Sequence, residues 1–399
     1  MFDTTGFRSH FPYFQHPDRV IYLDNAATTL KPQSLIDATV KFYQSAGSVH
    51  RSQYDEEQTA LYEQARSQVR QLINAESDKA IIWTSGTTQA INTVANGLIP
   101  YIQSDDEIII SEADHHANFV TWSMIAQKCG AKLRILPIQD NWLIDENALL
   151  EALNKRTKVV VLNFVSNVTG TEQPVEHLIR LIRKHSSALV SVDAAQAISH
   201  VKIDLRKLDA DFLSFSAHKI YGPNGLGVLS GKLTALELLQ PLIYGGKMVD
   251  RVSKQQISFA ELPYRLEAGT PNIAGVIGFN AVLSWLNQWD FEQAEHHAVQ
   301  LAEQTKVRLK NYEFCQLFNS PKPSSVISFV FKNIAGSDLA TLLAEQNIAL
   351  RTGVHCAQPY LSRLGQHSTL RLSFAPYNTQ QEVDAFFTAL DKSLALLEE

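Results

Sequence analysis

Four polar groups stand where apolar runs of the sequence give way to loops, and each is of a type that can act on a ligand. In Ser85-Gly86-Thr87-Thr88, a glycine and three hydroxyls lie between a strand-like run, Ala80 to Thr84, and a helix-like one, Thr87 to Leu98. Glycine lets the backbone come close to a ligand. The first turn of a helix offers free N–H groups and the positive end of its dipole, so a phosphate fits there. A plain helix cap explains the same residues. Asp193 ends the apolar run Val190-Ser191-Val192. A carboxylate in that place lies where open α/β sheets bind ligands and can keep a pyridine nitrogen protonated, or it can simply cap a helix. Lys219 closes Ser216-Ala217-His218-Lys219, just after the next strand-like run. Its amine, tuned by burial and neighbours, can form a Schiff base, and Ser216 and His218 can reach a phosphate. Taken alone, Lys219 reads as an exposed loop lysine, the usual fate of that residue. Cys356 lies in Arg351-Thr352-Gly353-Val354-His355-Cys356-Ala357-Gln358-Pro359, a loop shaped by Gly and Pro in which Arg351 and His355 can favour a thiolate.

A phosphate cradle, a ring-nitrogen partner and an imine-forming lysine are together what a protein supplies to pyridoxal 5′-phosphate, so that cofactor is the one expected. No metal is expected. His115-His116 and His296-His297 are adjacent pairs, without the i, i+4 spacing of a helical zinc site, and the second pair reads as solvated helix surface. The glycines of Gly225-Leu226-Gly227-Val228-Leu229-Ser230-Gly231 miss the dinucleotide spacing by one residue. Cys129 at a helix end and Cys315 in an apolar stretch read as buried and inert.

These groups need a scaffold, and the middle of the chain describes one. Strand-like runs at Glu107 to Ser111, Lys132 to Ile138, Lys158 to Val165, Ala188 to Ala194, Asp211 to Ser216 and Leu226 to Ser230 join the one at Ala80 to Thr84. Helix-like segments, Ala117 to Cys129 and Val175 to His185 among them, alternate with the strands. Buried apolar strands separated by helices predict a mostly parallel sheet covered on both faces. Ahead of it, Leu61, Ala65, Val69 and Leu72 mark one face of an amphipathic helix. From Gln240 to Ala268 no period is visible. Beyond it Ile327, Phe329 and Phe331 alternate with Ser328 and Val330, Thr369 to Ala375 is strand-like, and Val383, Phe386, Phe387, Leu390 and Leu394 form a helical stripe, which together predict a smaller α+β unit. A chain of 399 residues favours two domains. Its net charge of −6, with both signs interspersed, speaks against nucleic acid and acidic membrane surfaces. Three cysteines make disulfides unexpected and suit a reducing cytoplasm. Met1 to Phe14 lacks the pattern of a signal peptide, and Val159 to Val165 is too short to span a bilayer.

With Leu23-Asp24-Asn25-Ala26-Ala27, Val49-His50-Arg51, His115-His116-Ala117-Asn118, Ser166-Asn167-Val168, Asp193-Ala194-Ala195-Gln196 and Glu267-Ala268-Gly269-Thr270-Pro271-Asn272, the same residues resemble the group II cysteine desulfurases, the SufS/CsdA branch of the class V aminotransferase family. The likeness runs from about Tyr22 to Glu399, and Gly245-Gly246-Lys247-Met248 and Ser373-Phe374-Ala375-Pro376-Tyr377-Asn378 resemble the CsdA side. It implies the type I fold of pyridoxal-phosphate-dependent transferases, an α/β large domain with a mostly parallel seven-stranded sheet plus a smaller α+β C-terminal domain. The expected limits are 1–20 for an N-terminal segment packing with the small domain, 21–268 for the large domain and 269–399 for the small one.

The resemblance also implies roles. Lys219 would carry the cofactor, Asp193 would pair with its ring nitrogen, Gln196 with its ring hydroxyl, and His115 would stack on the ring. Thr88, Ser216 and His218 would bind the phosphate, with Thr270 reaching it from a partner subunit of a homodimer. Asn167 and Arg371 would hold the substrate carboxylate, with His50 and Arg51 near the mouth. Cys356 would take sulfur from L-cysteine as a persulfide, releasing alanine, and pass it to a small acceptor protein of the SufE/CsdE kind. L-Selenocysteine would react too. Tyr244 and Val354 depart from the family pattern and bear on loop geometry and substrate access, without touching a chemical group. A different class V aminotransferase or lyase would need Lys219 and Asp193 but not Cys356, and a silent scaffold would need none of them.

Overall fold

The computed structural model of the chain describes residues 2–45 and 47–398. Its centre is a seven-stranded sheet in the order Ile81–Thr84, Gly227–Gly231, Phe212–Ser216, Leu189–Asp193, Thr157–Asn163, Glu107–Ser111, Lys132–Leu136. Gly227–Gly231 runs against its two neighbours, and the remaining pairs are parallel, so the mostly parallel sheet expected from the apolar runs is the one that forms. The strands are apolar on both faces because both are covered. Ile108, Ile110, Val159 and Val161 share a core with Ile91, Val94, Trp122 and Ile125 of the helices Thr87–Gly97 and His116–Cys129. The alternate residues Ile109, Val160 and Leu162 meet Leu178, Ile179 and Ile182 of Val175–His185 on the other side. The strand expected to reach Ile138 stops at Leu136, because Pro137 has no N–H to continue the ladder.

A second, antiparallel sheet has the order Cys315–Phe318, Val326–Phe331, Thr369–Ser373, Arg351–Gly353. Its core takes in Ala298 and Leu301 of Phe291–Leu309, Leu339 and Leu343 of Gly336–Glu345, and Val383, Phe386 and Leu390 of Gln380–Glu398. The stretch from Gln240 to Ala268 holds a short hairpin, Val249–Val252 with Ile257–Phe259, too brief to show a period. The helix Ile273–Leu286, which begins after the expected boundary at 268, packs on Gln33–Tyr43 and Glu56–Leu72 and shares the core of the large sheet.

The N-terminal helix Thr4–Ser9 lies between both units. Phe7 is buried beside Phe11, Tyr221 and Trp285, while Arg8 donates to Glu382 Oε1 (2.7 Å) and to the Tyr377 carbonyl (2.7 Å). His297, expected on a solvated surface, is half-buried there, with Nε2 at 2.9 Å from the Asn378 carbonyl and 3.3 Å from Thr4 Oγ1. The reason is that the N-terminal helix, distant in sequence, covers that face. Among the described residues no helix is long and apolar enough to cross a membrane.

Candidate active site

Most of the site residues singled out in sequence meet in one cleft at the C-terminal ends of five strands. Thr87 and Thr88 follow Ile81–Thr84. Ala113 and His115 follow Glu107–Ser111, and Val165 and Asn167 follow Thr157–Asn163. Asp193 and Gln196 end Leu189–Asp193, and Ser216, His218 and Lys219 end Phe212–Ser216. The second sheet closes the cleft with Arg351, His355, Cys356 and Arg371, and the N-terminal stretch adds Ala26 and Ala27. Strand ends at such a crevice are where open α/β sheets hold ligands.

The phosphate cradle depends on two glycines. Gly86 has φ +154°, which suits a residue without a Cβ, and a Cβ on Gly227 in the neighbouring strand would lie 2.4 Å from Gly86 Cα. The helix Thr87–Gly97 starts with no side-chain cap, and the Ser216 hydroxyl takes the Thr87 N–H (2.8 Å) and lies 2.7 Å from Thr87 Oγ1. Thr88 stays exposed on the cleft wall. These groups fit a phosphate.

Asp193 is 7 % exposed and accepts one hydrogen bond, from the Ala195 N–H at 2.9 Å. Burial pushes its carboxyl up to about 6, against the Ala195 bond and the Lys219 charge. A buried carboxylate with an oxygen to spare suits a protonated ring nitrogen, whose charge would offset that burial. Gln196 donates to the Ala26 carbonyl (2.8 Å) and keeps its amide oxygen for the cleft. His115 caps the helix His116–Cys129 by accepting the Ala117 N–H at Nδ1 (3.0 Å), so its ring is fixed. Burial, then the Lys219 charge, pushes His115 down to about 4, leaving it neutral. His218 is likewise held at about 4 by burial and Lys219.

Lys219 sits in the turn Ala217–Lys219, and its amine donates to the Ala26 carbonyl. The side chain keeps some exposure toward the cleft, yet the amine lies deep among protein atoms. That desolvation, helped by Arg371 and opposed by Asp24 and Asp193, pushes it down to about 7. Arg371 is buried in the strand Thr369–Ser373. Its Nη1 donates to the Asn167 carbonyl (2.9 Å), its Nη2 to Asp24 Oδ1 (2.7 Å), and its buried Nε has no protein partner. Asn167 donates in turn to the His355 carbonyl (2.7 Å), tying this corner to the cysteine loop.

In that loop Gly353, His355 and Cys356 all have positive φ, of 120°, 48° and 53°. Two non-glycine residues in the left-handed region mark a conformation imposed by the surroundings. The Cys356 carbonyl accepts the His116 N–H (2.8 Å) and the Gln358 N–H meets His116 Nε2 (3.2 Å), so the loop is pinned to the helix that His115 caps. Cys356 is exposed. Cys129 and Cys315 are half-buried, and burial raises both thiols, Cys315 to about 12. The expectation that His355 helps form the thiolate is not met. His355 is 4 % exposed, and burial with the Arg371 charge pushes it down to about 3. Its Nε2 lies 3.1 Å from the Thr369 carbonyl and 2.9 Å from Thr369 Oγ1, so it braces the loop as a neutral ring and Arg351 is the cation left nearby.

Three expected residues lie outside this cleft. Thr270 is exposed and does not line it. His50 pairs with Glu63 (3.0 Å) and stands edge-on to Tyr62 and Tyr264, and Arg51 is exposed beside it. Two carboxylates had no role assigned from sequence. Asp24 is bound to Arg371, and Asp114, wholly buried next to His115, accepts the Ser111 N–H (2.8 Å) and the Asn118 amide (3.1 Å). Burial, joined by the Asp193 charge, pushes Asp114 up to about 8. No cluster of metal-binding side chains occurs among the described residues.

The description "Aminotransferase class-V" matches residues 21–386. The chain is 73 % identical over 391 residues to a "Probable cysteine desulfurase" of Haemophilus influenzae, covering 98 % of this chain and 90 % of that one. It is 47 % identical over 402 residues to "Cysteine desulfurase CsdA" of Escherichia coli, covering 100 % of this chain and 99 % of that one. The chain belongs to the class V aminotransferase family, in its cysteine desulfurase group. The crystal structure of Escherichia coli CsdA in its S-sulfonic acid form superposes with a TM-score of 0.94 at 46 % identity, covering 99 % of each chain. The resemblance read from the motifs and the α/β fold with its seven-stranded sheet are thus those of this family. Cysteine desulfurases depend on pyridoxal phosphate, and the phosphate cradle, Asp193 and Lys219 of this chain fit that cofactor.

Proposed function

We propose that the cleft converts L-cysteine to L-alanine and leaves the sulfur as a persulfide on Cys356. The observation that carries this reading is an exposed cysteine, held in a left-handed backbone conformation, at the rim of the same cleft that holds Lys219, Asp193 and Arg371. An aminotransferase or lyase has no need of that thiol.

Each residue then has a task. Pyridoxal phosphate, when bound, supplies an electron sink conjugated to the substrate Cα. Lys219 would hold it, Asp193 would keep its ring nitrogen protonated, Gln196 would meet the ring hydroxyl and His115 would stack on the ring. Thr88, Ser216 and His218 would bind its phosphate. Arg371 and Asn167 orient the substrate carboxylate, the guanidinium through donors it does not spend on Asp24 and Asn167. Lys219, with its amine near 7, would take the Cα proton of the bound substrate. Cys356 attacks the substrate sulfur: a sulfur–sulfur bond forms, the carbon–sulfur bond breaks, and its electron pair returns to carbon, which is protonated to alanine.

Thr270, which does not line its own cleft, serves a second copy of the chain in this reading, and His50 and Arg51 stand near the mouth. L-Selenocysteine should be accepted by the same groups, because its selenium leaves more readily. A small acceptor protein would collect the persulfide sulfur, in a reducing cytoplasm. The expected division into a segment 1–20, a large unit from 21 and a small C-terminal unit is proposed with it, with the helix Ile273–Leu286 moved from the small unit to the large one whose core it shares.

Mass spectrometry of the protein after L-cysteine, without reductant, tests the reading. A persulfide on the Cys356 peptide, absent from Cys356→Ala along with alanine production, is expected. Sulfur on Cys129 or Cys315, or an undiminished Cys356→Ala, would overturn it.

A further inference from the structure

Arg371 and Arg351 stand directly opposite each other in the antiparallel pair between Thr369–Ser373 and Arg351–Gly353. Like charges in that register repel. One carboxylate lies against both. Asp24 Oδ1 accepts Arg371 Nη2 at 2.7 Å, and Asp24 Oδ2 lies 3.9 Å from Arg351 Nη1. The Arg371 side chain is 2 % exposed and that of Arg351 is 46 % exposed, so one guanidinium is fixed and the other is free to move. Asp24 itself is held by a parallel bridge to Ser373, two residues from Arg371. Both arginines line the cleft and Asp24 does not.

We propose that Asp24 is a positioning residue that aims Arg371 at the substrate carboxylate and leaves the two-arginine cluster with one net positive charge, so that the site takes a singly charged carboxylate and discriminates against dianions. The proposal rests on the reading of Arg371 as the carboxylate binder. Two guanidiniums and one carboxylate leave a charge of one, which an amino-acid carboxylate neutralises. A dianion in the same place would carry an uncompensated charge into a largely buried site. The hydrogen bond from Nη2 to Asp24 and that from Nη1 to Asn167 fix the guanidinium plane, and the buried Nε lacks a protein acceptor. A fork whose plane is fixed in advance loses less freedom on binding a carboxylate.

Asp24→Asn separates charge from aim, because the amide oxygen still accepts Arg371 Nη2 while the negative charge is gone. Asp24→Ala removes both. The assay uses the holoenzyme and L-alanine, which cannot lose sulfur, and follows the cofactor's visible absorbance. Sodium sulfate competes as the dianion and sodium chloride as the monovalent comparison at equal ionic strength. In Asp24→Asn, sulfate should compete about tenfold more strongly than in wild type, relative to chloride, while L-alanine affinity stays within about threefold. In Asp24→Ala, L-alanine affinity should fall about tenfold as Arg371 loses its aim. Should Asp24→Ala not fold, Asp24→Asn decides alone. A sulfate-to-chloride ratio in Asp24→Asn equal to wild type would overturn the proposal while L-alanine binding upheld Arg371. Wild type that showed no L-alanine binding would overturn the Arg371 reading, and the Asp24 proposal with it.

Discussion

In the cofactor-free protein Lys219 should behave unlike an ordinary lysine. Its amine is enclosed, with Arg371 and Arg351 among the surrounding charges and Asp24 and Asp193 as partial compensation, and it is pushed from 10.5 down to about 7. At pH 8 an amine titrating at about 7 is about 90 % neutral, whereas one at 10.5 is about 0.3 % neutral, so the reactive fraction rises about 300-fold. Pulses of acetic anhydride on cofactor-free protein from pH 5.5 to 10, with an added free amine as internal standard, measure this directly. The acetylated Lys219 peptide, quantified by mass spectrometry, should titrate with a midpoint near 7. The causes are separable by sign. Arg371→Gln removes a repelling charge and should raise the midpoint. Asp193→Asn removes an attracting one and should lower it. A wild-type midpoint near 10, or shifts of the opposite sign in the two variants, would refute the claim that enclosure and Arg371 set this amine's reactivity.

Two predictions concern buried carboxylates. Asp114 titrates near 3.8 in an unfolded chain and is pushed up to about 8 by burial, so between those values the folded protein binds the extra proton and stability falls as pH rises from about 4 to about 8. Asp114→Asn, with the Asn118 amide turned to offer its oxygen, should gain on wild type steadily across that window in thermal melts of cofactor-free protein, and a difference that does not vary with pH would contradict it. Arg66 and Glu267 face each other with side chains 2 % exposed at 2.8 Å, so Arg66→Met, which strands the Glu267 carboxylate, should cost about 3–5 kcal/mol in urea unfolding, and a loss below about 1 kcal/mol would contradict it.

Much of this arrangement was legible because its signals are local. A strand buried on both faces must be apolar throughout, and Val159 to Leu162 is. A ligand group at a strand end must be polar and abrupt, as Asp193 and Lys219 are. What escaped the sequence depends on neighbours far along the chain. His355 looks like a cation beside Cys356 until Thr369 and Arg371, on the adjacent strand, enclose it and hold it neutral. His297 looks solvated until Thr4 and Asn378 reach it. Asp24 belongs to a recognisable motif, but its partner Arg371 is 347 residues away, and no spacing rule connects them.

The same distance explains how the two sheets can form one site. Arg371 stands on the small sheet and Lys219 follows a strand of the large one, and no direct bond between those two residues sets their separation. The stretch from Ile21 to Thr29 spans the gap. Ile21 and Tyr22 pair with Ile348 and Ala349, Asp24 bridges to Ser373, and Asn25 donates to the Ser373 carbonyl (2.6 Å) and to Asn378 (3.1 Å). Its other end belongs to the large sheet. The Ala26 carbonyl accepts the Lys219 amine and the Gln196 amide, and the Thr29 N–H donates to the His218 carbonyl (3.0 Å). The backbone pairing at Ile21 to Leu23 and the backbone bond at Thr29 anchor the strap at both ends, and side-chain bonds from Asn25, Tyr22 and Ser373 brace it between them. A carboxylate held by Arg371 is therefore presented to Lys219 at a spacing set by this strap. A segment with no reacting group of its own, Leu23 to Ala27, thus ties the two halves of the site together.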